Sequence, residues 1–315
     1  MTLTQLSVFV LAARLGSVKA AASTLGVSEP AVSQALAALR KHFGDPLLTR
    51  GEAGMALTPG GKRLLPIAAQ LVGLGAEAEA AVRSALGAPE QVRLVAPSDV
   101  VEFVAGPLAA AFGARTAGSA ELTAGVAGTG EMAALVAQRL ADIALGPRLA
   151  TDRGLGLVSE PIVKCRLAVL AAPGAVPRGT PARWDWLIDP SGTDPESDVG
   201  RLLAVLGVPD SRRSVFPNQT AAWDAAIMGR GVATGLTHLA VHHLRRRELQ
   251  VVDVPGTPVE LCWHATMLPA DRRAPGATTL RRFLGTPEAT KLLRSPGTGV
   301  PPSRFRPPVY VTIWS

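Results

Sequence analysis

Ser28, Pro30, Ser33 and Gln34 are small or amide-bearing residues on one face of the stretch GVSEPAVSQALAALRKHFG, and Val32, Ala35, Leu36, Leu39 and Phe43 fall on the other. That spacing of three and four marks a helix buried on one side. Hydroxyls and an amide are the groups that read base edges in a DNA groove, and Gln34 has the geometry to pair bidentately with adenine. Lys19, Lys41 and Arg50 flank the stretch as phosphate partners. A plain helical hairpin with a solvated face would show the same pattern. A second set, Ser98, Thr129, Asn218, Gln219 and Thr220, sits where strand-like runs give way to helical ones. In open α/β sheets those turns expose helix-start amides that favour anions, although each residue alone also serves as an ordinary cap. A third set, His238, His242 and His243, has a metal-like i, i+4 pair. It lacks the glutamate of an H-E-x-x-H site and leads into Arg245, Arg246 and Arg247, so a solvated basic helix end is preferred and no metal is assigned. The sequence holds no G-x-S-x-G elbow, P-loop or G-x-G-x-x-G fingerprint, so no catalytic residue and no cofactor are expected.

The elements around Gln34 explain how it would be presented. Leu6, Phe9, Val10 and Ala13 form one helical face; Val18, Ala21, Ala22 and Leu25 form another, ended by Gly26. Ser28 then caps the next helix and Pro30 costs nothing in its first turn. Two short helices across a glycine turn make a helix-turn-helix, whose second helix enters the major groove. LLTRGEAGMALT reads as a hairpin wing around Gly51 and Gly54, and Thr58-Pro59 starts a long helix. In that helix Leu64, Ile67, Leu71, Leu74, Ala78, Ala81 and Ala85 repeat every 3.5 residues on average, a seam that suits a partner chain, with packing on the protein's own body as the alternative.

Through AAASTLGVSEPAVSQALAALRKHFGDPLLTR and LTPGG the chain resembles the LysR-type transcriptional regulators, specifically over residues 18 to 61 and more weakly to about residue 285. It departs at Arg40, where the family usually has Glu, at Leu48 in place of Phe, and at Ala53, where the wing often carries the Arg that enters the minor groove. The resemblance implies a winged helix-turn-helix, a dimerising linker helix, and a periplasmic-binding-protein-like effector domain with pocket hydroxyls at the turns of Ser98 and Thr129. It also implies tetramers on DNA.

The rest reads as α/β. VRLVA, ELTAGVA and ADIALG alternate with helical runs, as in a parallel sheet with crossovers, and a second lobe begins near Pro161. The expected fold is therefore mixed: a winged helix-turn-helix domain over 1–58, a linker helix over 59–88, and a two-lobed α/β effector domain over 89–290. Its lobes take 89–160 with 262–290, and 161–261; residues 291–315 form a tail of strand propensity. With 315 residues, 47% hydrophobic content and a charge of +7, the chain affords several cores and favours a polyanionic partner. Cys165 and Cys262 follow no metal spacing, and a reducing cytoplasm is expected. LSVFVLAA lacks a preceding basic residue and reads as a core helix, and no membrane span is expected. The expected partners are double-stranded DNA, a small, anionic effector, and further copies in a homodimer or homotetramer. A solute-binding protein or enzyme fused to a DNA-binding head is the alternative.

Overall fold

The structure is a computed structural model that describes residues 1–51, 54–149 and 156–295. The described residues divide into two compact units, Met1–Glu90 with Ala137–Ala141, and Gln91–Val136 with the described chain from Asp142 to Ser295.

In the first unit α1 (Leu3–Leu15), α2 (Val18–Leu25) and α3 (Glu29–Phe43) precede the strands β1 (Leu48–Gly51) and β2 (Gly54–Leu57), and α4 (Pro59–Ala85) closes the unit. A capping box at Thr2 and Gln5 starts α1, and Gly16, Gly26 and Gly44 follow α1, α2 and α3 with φ near +60°. That region costs a side chain energy and costs glycine nothing. Leu6, Phe9, Val10, Ala21, Val32, Leu36 and Leu39 meet in one core. Strands β1 and β2 pair antiparallel from Leu48–Leu57 to Gly51–Gly54, and Ala53 lies outside the described residues. Phe43, expected on the apolar face, is exposed, because it is the last residue before the Gly44 turn and lies edge-on to His42.

Helix α4 has two faces. Ala68 and Ala69 are buried, and Gly75 admits the Leu3 side chain of α1, so small residues let the two helices approach. The other face shows Ile67, Leu71 and Leu74 at 57, 39 and 48% exposure. By length and composition alone α4 would also pass for a membrane-crossing helix. Its start, however, is capped by Thr58 at the end of the wing, and the helix packs on α1.

The second unit is built on a sheet whose strands lie in the order β4 (Ala120–Val126), β3 (Glu90–Ala96), β5 (Ile143–Gly146), β11 (Val259–Met267), β6 (Val158–Ala171), β9 (Val232–Leu236), β7 (Trp186–Ile188) and β8 (Arg213–Val215), with β10 (Gln250–Val252) beside β6. Lobe one contains β3 (Glu90–Ala96), β4 (Ala120–Val126) and β5 (Ile143–Gly146), with β3 and β5 parallel. Its helices are α5 (Ser98–Val100), a π-turn over Val101–Ala105 that runs on into α6 (Gly106–Arg115), then α7 (Thr129–Ala137), α11 (Pro275–Leu284) and α12 (Pro287–Arg294). Lobe two holds β7 (Trp186–Ile188), β8 (Arg213–Val215), β9 (Val232–Leu236) and β10 (Gln250–Val252), with α8 (Asp198–Val205), α9 (Gln219–Ile227) and α10 (Val241–Arg245). Within the lobes the expected parallel pairing holds, β3 with β5 and β7 with both β8 and β9, while the two crossings between lobes are long strands paired antiparallel, β6 (Val158–Ala171) and β11 (Val259–Met267), from Met267–Val158 to Val259–Leu167. The packed body also extends past residue 290, since α12 runs to Arg294 and buries Leu293. Residues 296–315, including the strand-like end of the tail, lie outside the described residues.

Cys165 faces Leu261 across the ladder and Cys262 faces Lys164, so the two thiols leave opposite faces of the sheet and both are free. Burial pushes the Cys165 thiol up to about 12, which leaves it a small core residue.

Candidate nucleic-acid interface and effector cleft

In the first unit, α3 presents the polar face expected of it. Ser28 accepts the Ala31 N–H at 3.4 Å as N-cap, and Pro30, Ser33, Gln34 and Lys41 are exposed on the side opposite Val32, Leu36 and Leu39. Lys19 on α2 is also exposed. Of Arg50 the backbone is described, in β1, and its side chain lies outside the description.

Sequence reasoning missed what holds the helix in place. Arg40, where the family usually has Glu, donates through Nε to the Pro46 carbonyl at 3.0 Å and so braces the exit of its own helix. Asp45 Oδ1 accepts the Leu47 N–H at 2.6 Å and the Thr58 hydroxyl at 2.7 Å, and those two bonds, Thr58 first, hold its carboxyl below the usual carboxylate range. Thr58 in turn accepts the Gly61 N–H at 2.9 Å and caps α4. A side chain at Gly60 would collide with Asp45, and one at Gly61 with the Leu47 carbonyl. The glycines of LTPGG therefore allow α4 to start against the loop that leaves α3. An Asp two residues before a turn amide was a legible local signal; the glycine contacts were not.

In the second unit, Ser98, Thr129, Gln219 and Thr220 do come together between the lobes, and each is already engaged. The Ser98 hydroxyl donates to Asp189. The Thr129 N–H, at the start of α7, donates to Asp194 Oδ2 at 2.7 Å. The Gln219 and Thr220 amides, at the start of α9, donate to Glu102 at 3.0 and 3.2 Å, joined by the Thr220 hydroxyl. Asn218 turns back to cap its own helix, accepting the Ala221 N–H at 2.8 Å. The Gln219 side chain is buried and donates to the Thr234 carbonyl at 2.9 Å, which makes it a core tie.

Carboxylates, then, are the main polar furniture of this cleft. Asp99 follows Ser98, accepts the Val100 N–H at 2.8 Å, and is pushed up to about 7, chiefly by desolvation and then by the charge of Asp189, with Glu102 and Asp198 adding to it. Desolvation also raises Glu102, against the lowering effect of its bonds to Thr220 and Gln219. The π-turn sets this up: an extra residue in the turn directs both Glu102 and its neighbour Phe103 at α9, where Phe103 stacks on Trp223 with centroids 5.2 Å apart.

The histidines do not converge. His238 precedes the five-residue α10, packs edge-on to Trp263 at 5.4 Å and is lowered to about 4 by desolvation. His242 bonds Arg246 at 3.3 Å, and His243 bonds Glu248 at 2.8 Å. The expectation that all three share a helix end fails for His238, because α10 begins only at Val241. Among the described residues no cluster of metal-ligating side chains forms.

Residues 3–62 match the bacterial regulatory helix-turn-helix protein model of the lysR family, and residues 87–286 match the LysR substrate binding domain. The chain belongs to the LysR family. Over its whole length it is 32% identical to an uncharacterized HTH-type transcriptional regulator of Mycobacterium tuberculosis, also covered in full. It is 27% identical to the HTH-type transcriptional regulator CfxR of Cupriavidus necator, over 96% of this chain and 97% of that one. CbnR, a LysR family transcriptional regulator of known structure, aligns with a TM-score of 0.58 at 19% identity over 90% of this chain and 98% of its own. ArgP from Mycobacterium tuberculosis aligns at 0.55 and 20% over 93 and 98%. These two share the fold. As a LysR-family protein the chain is a DNA-binding transcriptional regulator: α3 belongs to the matched helix-turn-helix, and the carboxylate-lined cleft to the matched effector-binding domain.

Proposed function

We propose that this regulator reads the major groove of double-stranded DNA with α3 and answers to a small molecule bound between the lobes of residues 89–290. Ser28, Pro30, Ser33 and Gln34 meet base edges, and Lys19, Lys41 and Arg50 meet phosphates. The observation that carries the DNA reading is the exposed polar face of α3 over a fully formed core. A protein sharing the fold, CbnR, has been solved with its target DNA, at a TM-score of 0.56 and 18% identity. Pairing of chains through Leu64, Ile67, Leu71 and Leu74 is supported by the water-exposed apolar face of α4, since a stripe of this kind on a long helix is stabilised by a second copy. The protein works as a homodimer or homotetramer in the cytoplasm and turns nothing over. The sequence reading assigned the effector a negative charge on account of the helix-start amides; an anion arriving there competes with Glu102 and Asp194 for the same donors.

Selection of binding sites from random duplexes tests the reading. Gln34→Ala is expected to relax preference at one base position by about 1 to 3 kcal/mol, and Lys41→Ala to weaken all sequences alike. An unchanged consensus at unchanged affinity for the Gln34 variant would remove α3 as the reader.

A further inference from the structure

Two helices of nine residues, α7 and α9, begin at the cleft between the lobes. The open amides and dipole of a helix start favour an anion. At each of these starts the anion is already there, and it comes from the opposite lobe: Asp194 of lobe two on the Thr129 amide, and Glu102 of lobe one on the amides of Gln219 and Thr220. The Ser98 hydroxyl of lobe one, bound to Asp189 of lobe two, is a third tie, and the stack of Phe103 on Trp223 is a fourth.

We propose that Glu102 and Asp194 are built-in ligands that strap the lobes together, so that the cleft of the free regulator is closed on its own carboxylates and an effector acts by displacing them. This rests on the cleft being the effector site. A tethered carboxylate presents itself to its amides at an effective concentration of millimolar order or above, and a free carboxylate must outcompete it. At the Glu102 position it must do so beside Asp189, whose charge disfavours a second carboxylate there. The strap therefore both closes the cleft and selects against simple carboxylates at ordinary concentrations.

The test uses the full chain, the variant Glu102→Ala, and acetate as the probe. In the wild type, amides 219 and 220 are expected to exchange slowly with deuterium, and acetate is expected to change neither that exchange nor the melting temperature beyond the effect of sodium chloride at equal ionic strength. In Glu102→Ala those amides are expected to exchange about tenfold faster or more. Acetate, filling the vacated anion position, then restores slow exchange and raises the melting temperature above the chloride control. Glu102→Gln, which puts an NH2 group where one of the two accepting oxygens stood, is expected to lose protection at one of those amides and serves if the alanine variant does not fold. Unchanged exchange at 219 and 220 in either variant overturns the strap, as does a wild type that acetate stabilises as much as the variant. These readouts concern the bonds between lobes alone. A regulator whose DNA binding answers to no small molecule would instead overturn the effector reading.

Discussion

Replacing Asp99 by Asn is expected to stabilise the protein at pH 8 and to leave it unchanged near pH 4. The folded carboxyl titrates at about 7 against an ordinary 3.8, so the native state holds its proton more tightly than the unfolded chain does. Below 3.8 both states are protonated and nothing is lost. As pH rises from 3.8 to about 7 the native state must either keep the proton or carry a disfavoured charge, and stability falls throughout that window and then levels off. At about 1.4 kcal/mol for each pKa unit, the full rise corresponds to about 4 kcal/mol. Asp99 is not sealed from water, and screening reduces that to about 2 kcal/mol. Asparagine retains the oxygen that accepts the Val100 amide and offers its new N–H groups to the carboxylates around it. For an effector domain of about 200 residues, about 2 kcal/mol is worth about 4 to 8 °C in melting temperature. Calorimetric scans of both proteins from pH 4 to pH 8 measure this directly. A gain of the same size at every pH would show that the substitution acts through packing, and no gain at pH 8 would show that the Asp99 carboxylate is well solvated or paired.

Other perturbations separate local causes. Leu71→Glu places a charge on the exposed stripe of α4, and light scattering is expected to show smaller assemblies with weakened DNA binding; a variant of unchanged size would mean that α4 does not pair the chains. Gly61→Ala drives a methyl into the Leu47 carbonyl and is expected to cost about 1 to 3 kcal/mol in denaturant titration, whereas Gly113→Ala, with open space around it inside α6, is expected to gain up to about 1 kcal/mol.

The two units differ in how openly their sequence declares them. Everything that defines α3 lies within twenty residues: the stripe Val32, Leu36, Leu39, the cap Ser28 and the terminating Gly44 are local, and local signals survive in a single chain. The cleft depends on pairs such as Ser98 with Asp189 and Glu102 with Thr220, about a hundred positions apart. Such pairs leave no periodicity. Ser98 and Thr129 were legible as helix starts, but nothing in the sequence singles out Glu102, because the π-turn that redirects it has no composition of its own. Gln219 illustrates the opposite error, since a polar residue beside a cap suggests a ligand contact, yet its amide closes a carbonyl in the core. Arg40, marked as a departure from the family pattern, has its partner in the loop that leaves its own helix.

The strands that cross between the lobes have a mechanical consequence. Because β6 and β11 are hydrogen-bonded to one another along the crossing, the lobes are joined by a ribbon and not by two slack tethers. A ribbon resists being sheared along its length and yields to torsion, above all where its rungs are irregular. In this chain that place is defined: the register shifts between Trp263 and His264, opposite Ile162 and the amide-less Pro161. Under the proposed displacement of the cleft carboxylates, one lobe would turn against the other about that irregular rung, and the effector's signal would be an angle.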